Sequence, residues 1–240
     1  MVLVVVFTVM SVRLAQAATQ PSAAKSGASG SIAGVVTYQP DRKRRWRYAR
    51  YYVKNRRKGF LAEAVIALDS GKLDGEKLSA GRKSPASRLH VINQKDYRFI
   101  PETIAIRVGD RVKFTNADPV VHNVFSAAAA HRFDINLRKG GENIQRFGRA
   151  GGIEKPLRLR CVFHSTMQSW IFVFGHPFYQ VTGENGRFRL DNVPPGRYRL
   201  VMTHPAGELQ YVKNITVTAG KTTKLDIRVS PDNKVESGKR

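Results

Sequence analysis

Apolar and polar residues alternate with period two along most of the chain. Ile32-Ala33-Gly34-Val35-Val36-Thr37-Tyr38 and Ala62 to Leu68 open the pattern. His90 to Gln94, Arg98 to Pro101, Thr103 to Val108 and Val112 to Asn116 continue it, followed by Val120 to Phe125, Ile144 to Phe147, Leu157 to Phe163 and Trp170 to Phe174. A third block holds Tyr179 to Thr182, Arg187 to Leu190, Arg197 to Met202, Ile215 to Thr218 and Thr222 to Val229. Successive side chains of an extended chain point to opposite faces, so period-two runs rich in Val, Ile, Thr and aromatics predict strands. No apolar stripe of helical period appears. Many short strands spaced by turns predict an all-β protein built of sandwiches or barrels.

Turn chemistry punctuates the runs. Gly109-Asp110 predicts a tight turn, Asn185-Gly186 a hairpin, and Pro194-Pro195-Gly196 a further turn, because Gly tolerates the positive φ that tight turns require. Residues 70–87, with Gly71, Gly75, Gly81 and Pro85, read as a polar connection.

The chain begins with an apolar run from Val2 to Met10 and then Ala15-Gln16-Ala17, the small-x-small form that a signal peptidase accepts. Residues 1–17 are therefore expected to be a signal peptide and 18–30 a small-residue linker, with a periplasmic or secreted mature protein. No later stretch is long enough for a membrane-spanning helix. Forty-one basic and 18 acidic residues give a formal charge of +23, an attractive field for polyanions or acidic proteins. Residues 42–58 (RKRRWRYARYYVKNRRK) hold ten basic residues and no acid, with four aromatics between them. Such a segment could stack on single-stranded nucleic acid. In an exported chain, docking to an acidic redox protein or to an anionic envelope polymer is the preferred expectation, beside the plainer reading of a solvated insertion.

Cys161 is the single cysteine, so an intramolecular disulfide, c-type haem attachment and a closed zinc ribbon are all excluded. It opens Cys161-Val162-Phe163-His164-Ser165-Thr166-Met167, a Cys-x2-His-x2-Met arrangement at the end of a predicted strand. Far upstream, Asn116-Ala117-Asp118-Pro119-Val120-Val121-His122-Asn123 sets a histidine among apolar strand residues. Singly, Cys161 and Met167 read as core and His122 as a satisfied buried histidine. Together His122, Cys161, His164 and Met167 supply two imidazoles and a thiolate for a plane and a weak thioether for its axis, which suits one type 1 copper ion. Thiolate and thioether hold the reduced ion; imidazole holds either state. With all four positions filled by protein, a substrate finds no open coordination site, and single-electron transfer without catalysis is expected. Asn123 or backbone N–H groups are expected to orient the ligand loops.

Residues His90 to Phe174 resemble the cupredoxin family. The likeness lies in Val108-Gly109-Asp110-Arg111-Val112-Lys113-Phe114, in Asn116-Ala117-Asp118 leading to His122-Asn123-Val124-Phe125-Ser126, and in Cys161 to Met167, a short ligand loop similar to that of amicyanin. The flanking segments resemble a carboxypeptidase regulatory-like β-sandwich. They are Ile32 to Val36 and Ala64 to Leu68 before the copper block, and Val181 to Phe188 and Val193 to Leu200 after it. The combination resembles exported proteins related to methylamine utilisation. It implies a cupredoxin Greek-key sandwich at 88–175 inserted into a second, discontinuous sandwich at 31–87 and 176–229, with a flexible tail at 230–240.

The expected function is that of an exported blue copper protein carrying single electrons between partners such as a c-type cytochrome or an oxidase. The alternative is a copper-binding or envelope-interaction protein without electron transfer. The six histidines are scattered without His-x-His pairs, so the additional clusters of a copper oxidase or nitrite reductase are not expected. His176 and His204, each before a proline, are read first as structural and second as a further metal site.

Overall fold

The computed structural model describes residues 28–39, 53, 57–69, 86–230 and 233. The expected signal peptide, and most of the linker, basic stretch, polar connection and tail, lie outside these residues. Within them the protein is all-β, with seventeen strands numbered here in chain order and two short 3-10 turns.

Two sheets come from the chain's outer portions. One has the order β13 (Arg187–Val193), β1 (Gly30–Tyr38), β16 (Thr222–Lys224), with β17 (Ile227–Val229) pairing the far end of β1. The other runs β12 (Tyr179–Val181), β2 (Val65–Asp69), β14 (Gly196–His204), β15 (Leu209–Val217). Their inner faces share a core that includes Ile32, Val36, Tyr38, Leu61, Leu68, Phe188, Tyr198, Leu200 and Ile227. Buried Thr182 stitches the portions together: its hydroxyl donates to the Leu61 carbonyl at 2.7 Å and accepts from the Ala64 N–H at 3.0 Å. The Tyr198 hydroxyl donates to the Pro194 carbonyl at 2.9 Å. A side chain at Gly34 would put its Cβ 1.8 Å from the Leu225 carbonyl oxygen, so this strand needs glycine for close backbone approach.

The middle of the chain builds the other pair of sheets. One runs β4 (Arg98–Ile100), β3 (Leu89–Lys95), β6 (Arg111–Asn116), β9 (Glu142–Arg146); the second runs β5 (Thr103–Arg107), β11 (Gln168–Phe174), β10 (Leu157–Arg160), β7 (His122–Ser126), β8 (Phe133–Leu137). Alternation sets the faces. Val112, Phe114 and Asn116 of β6 point inward, as do Leu157 and Leu159 of β10, while Arg158 and Arg160 face solvent. The enclosed core contains Ile92, Phe99, Phe114, Val124, Phe147, Leu159 and Ile171.

Strand β11 is covered on both faces. Ile171 and Val173 enter the core of the middle pair of sheets; Trp170, Phe172 and Phe174 pack with Ile153 against Val65, Ala67, Val201 and Ala206 of the outer pair. A strand buried on both sides loses the polar alternation, which accounts for the continuous apolar run Trp170 to Phe174.

Three expectations change. The turns at Gly109-Asp110 and Asn185-Gly186 do form, with φ of 94° at Gly109 and 64° at Gly186, yet neither closes a hairpin. Each carries the chain between sheets: β5 pairs β11 while β6 pairs β3 and β9, and β12 pairs β2 while β13 pairs β1. Turn chemistry fixes a local reversal, whereas pairing follows the face that must be buried. The predicted strand Leu157 to Phe163 ends at Arg160, because Cys161 begins a tight loop. Strand β8 was not anticipated. Its sequence Phe-Asp-Ile-Asn-Leu does alternate, but its outward positions are polar and the run is short.

Two carboxyl groups stand where the sandwiches meet. The Glu63 carboxylate accepts the Thr103 N–H at 2.9 Å from across the junction. Burial raises its pKa, against the opposing pull of the Thr103 and Glu102 N–H groups. Burial pushes Glu102 up to about 7, and the half-exposed Arg98, 3.7 Å away, is too distant and too wet to offset it. A raised acid in the folded state holds a proton that the unfolded chain has released, so stability falls as pH rises from the ordinary glutamate range toward 7. Replacing Glu102 with Gln is expected to flatten the decline of melting temperature over that window, as measured by thermal unfolding of the two proteins at a series of pH values.

Candidate metal centre

Cys161 lies just past the end of β10, whose pairing with β7 is the single register contact Arg160 to Phe125. That contact brings the end of β10 alongside the strand that begins at His122. The loop then closes on itself: the Met167 N–H donates to the His164 carbonyl at 3.0 Å and the Cys161 N–H to the Met167 carbonyl at 3.1 Å. Seven residues thus make a compact ring with Cys161 and Met167 buried and His164 at its rim.

One donor atom each from His122, Cys161 and His164 lies within 4.8 Å of the other two, the one such three-donor group among the described residues. The Nδ1 atoms of His122 and His164 are 3.1 Å apart, and the Cys161 sulfur is 3.5 Å from His164 Nδ1. The side chain of Met167 is 1% exposed and belongs to the same buried cluster as Cys161. All four residues singled out in the sequence are therefore held by one strand end and one loop.

Neighbouring polar groups hold these atoms in place. His122 is fully buried and its Nε2 lies 2.7 Å from Asp118 Oδ2. A carboxylate only accepts, so Nε2 is the donor in this contact, and Nδ1 is the ring nitrogen turned toward His164. Burial works against the charge on Asp118, but the Tyr97 N–H, the His122 ring and the Asp96 N–H outweigh it and hold the carboxyl below its ordinary range. The Asn123 N–H donates to the Cys161 sulfur at 3.3 Å. Its side-chain oxygen accepts the Val162 N–H at 3.4 Å while its amide donates to Asp134 and Asn136 at 2.6 and 2.8 Å. The expectation for Asn123 as the residue orienting the loop agrees with these bonds.

Donor separations near 3 Å are those of ligands about 2.0 to 2.3 Å from a shared ion. Two imidazoles and a sulfur are soft enough for copper in both oxidation states. The residues present fit that metal.

Asp118 and Tyr97 were not singled out from the sequence. Tyr97 stands edge-on to both imidazoles, its ring centroid 5.5 Å from His122 and 4.9 Å from His164. The available signals were an acid four residues before the histidine and an Asp at a two-residue turn, both too common to stand out. The remaining histidines make local contacts. His176 Nδ1 accepts the Phe178 N–H, and burial depresses its pKa to about 4; His204 Nδ1 accepts the Gly207 N–H; His90 pairs with Asp110; His131 meets the Arg149 carbonyl.

Comparison with known proteins gives likenesses to parts of the chain. Residues 173–230 match the carboxypeptidase regulatory-like domain family. A purple cupredoxin from Nitrosopumilus maritimus is 22% identical over 35% of this chain and 99% of its own, with a TM-score of 0.30. A reduced amicyanin mutant is 18% identical over 45% of this chain and 98% of its own, at 0.32. A copper-containing nitrite reductase from Thermus scotoductus SA-01 is 21% identical over 41% of this chain, at 0.34, and this chain spans a quarter of its length. No curated protein sequence matches.

Asn123 ties the sulfur, the ligand loop and β8 together from a buried position. Truncating it to Ala removes its side-chain bonds to Asp134, Asn136 and Val162 and should cost on the order of 1–3 kcal/mol, read from denaturant unfolding of the metal-free protein.

Proposed function

We propose that this protein is a type 1 copper protein that carries single electrons outside the cytoplasm. Its ligands are His122, Cys161 and His164, with Met167 as the weak fourth. The observation that carries this reading is the convergence of two imidazole nitrogens and one thiol within 4.8 Å of one another, with His122 and Cys161 buried. Copper bound there would supply one-electron exchange between its two oxidation states.

The protein's own part is to hold the donors still. His122 comes from a sheet strand and Cys161 from a strand end clamped by Asn123, while the loop from Cys161 to Met167 is fastened by its two backbone bonds. Donors that are already in place need little movement when charge changes. The burial of Cys161 and Met167 keeps bulk water from the sulfur ligands. A catalytic reading would need a second histidine cluster, and among the described residues the other histidines are engaged in local contacts.

His164 is the half-buried member, and around it Val162 and Phe163 are 58% and 54% exposed. On the neighbouring sheet face Arg160 sits 5.7 Å over the Phe125 ring and Arg158 donates to Gln168. An apolar rim with arginines beside it suits an acidic protein partner such as a c-type cytochrome or an oxidase. The basic stretch 42–58 would extend that attraction, to the partner or to an anionic envelope polymer. Residues 1–17 support export to the periplasm or beyond, and no helix among the described residues is long and apolar enough to cross a membrane.

Two measurements test the reading. Copper-loaded protein should show an intense red absorption from thiolate-to-copper charge transfer and a reversible one-electron couple; Cys161→Ser should abolish the band. A Cys161→Ser variant as coloured as the parent refutes the ligand set, and a coloured protein without a reversible couple leaves copper storage or envelope binding in place of electron transfer. Reversing Arg158 and Arg160 to Glu should slow electron transfer to the anion ferricyanide and speed it to a cationic cobalt complex, with both effects shrinking at high salt.

A further inference from the structure

Asp118 is 6% exposed and lies among three donors. Its Oδ2 meets His122 Nε2 at 2.7 Å and the Tyr97 N–H at 3.0 Å, and its Oδ1 accepts the Asp96 N–H at 2.8 Å. Asp96 and Tyr97 form the two-residue turn between β3 and β4, and both take positive φ, 54° and 58°. That conformation is costly outside glycine, and Tyr97 is the less suited of the two. Here the turn points two successive N–H groups at one carboxylate. The same turn presents the Tyr97 ring edge-on to His122 and His164.

The carboxylate is itself anchored. The Asp118 N–H donates to Asn116 Oδ1 at 2.9 Å, and the Asn116 amide donates to the Val120 and Leu137 carbonyls, each at 2.8 Å. Asn116 thus braces the segment from Asp118 to His122 against β8, and the Ala117 N–H ties it to the Gln94 carbonyl at 2.9 Å beside the turn.

We propose that Asp118 is a positioning residue of the metal centre, which fixes the tautomer and orientation of His122 and the Tyr97 turn through one carboxylate and favours the more highly charged state of the bound ion. This rests on the copper reading above. A ring that donates its far N–H to a carboxylate is a stronger electron donor through its other nitrogen. A buried negative charge on the far side of the His122 ring would also stabilise copper(II) more than copper(I), because the electrostatic gain scales with the charge of the cation. Asp118 therefore lowers the reduction potential and holds Tyr97 against the imidazoles.

The test compares wild type with Asp118→Asn, which keeps the shape and loses the charge, and with Asp118→Ala, which loses both. Copper(II) and copper(I) affinities, the midpoint potential and the melting temperature of the metal-free protein are measured for each. Copper(II) affinity is expected to fall about 10- to 100-fold with a smaller change for copper(I). The potential then rises by about 59 mV for each factor of ten between the two. A potential that stays put while the metal-free melting temperature drops means that Asp118 only braces the fold, and overturns the proposal. A readout on the wild type needs no variant: nitrogen NMR of the metal-free protein near neutral pH should find His122 protonated at Nε2, and an Nδ1–H tautomer overturns the proposal even if neither variant folds. Wild type that binds no copper yet keeps the Nε2–H tautomer would refute the copper reading and leave the Asp118 to His122 contact standing.

Discussion

The arrangement depends on one contact between distant segments, the Asn123 N–H on the Cys161 sulfur. A strand end and a strand start 38 residues apart in sequence must stay in register for the sulfur to face the two imidazoles. The backbone ladder between β7 and β10 contributes only the Arg160 to Phe125 pair there, so a side chain has to do the rest. Asn123 does it from inside. Its amide group holds β8 on one side and the ligand loop on the other, and every polar atom it buries finds a partner, the condition under which a buried amide adds order without a desolvation penalty.

The two sandwiches meet along the strand that leaves the Cys161 to Met167 loop. Strand β11 starts one residue after Met167 and alternates between the core that holds Cys161 and Met167 and the junction with the outer sheets. Trp170, Phe172 and Phe174 are buried in that junction, so the end of the ligand loop is backed by a second hydrophobic core. This gives the outer sandwich a physical role beside the centre even though it contributes no donor atom to it. The Glu63 carboxylate on the Thr103 N–H is a polar counterpart of the same junction.

The alternation of apolar and polar residues made the all-β architecture legible, and the Cys161 to Met167 spacing made the candidate donors legible, because both are local features. Strand partners were less readable. Gly186 has the φ that its turn requires, and even so β13 runs off to pair with β1, some 150 residues upstream, since only there is a face in need of cover. Asp118 and Tyr97 escaped for a related reason: an acid near a histidine and a tyrosine after an aspartate carry no meaning until β3, β4 and the loop before β7 are brought together.

By itself the sequence determined which atoms could act: one thiol, two imidazoles and a thioether at spacings that a strand and a short loop can present, since residue identity and local geometry are properties of the chain. Tertiary structure alone decided which ring nitrogen of His122 faces His164, which backbone N–H reaches the sulfur, and what stands over the histidines. Those depend on hydrogen bonds between segments far apart along the chain, and such bonds have no pattern in the order of residues; they exist only once the hydrophobic faces have chosen their partners.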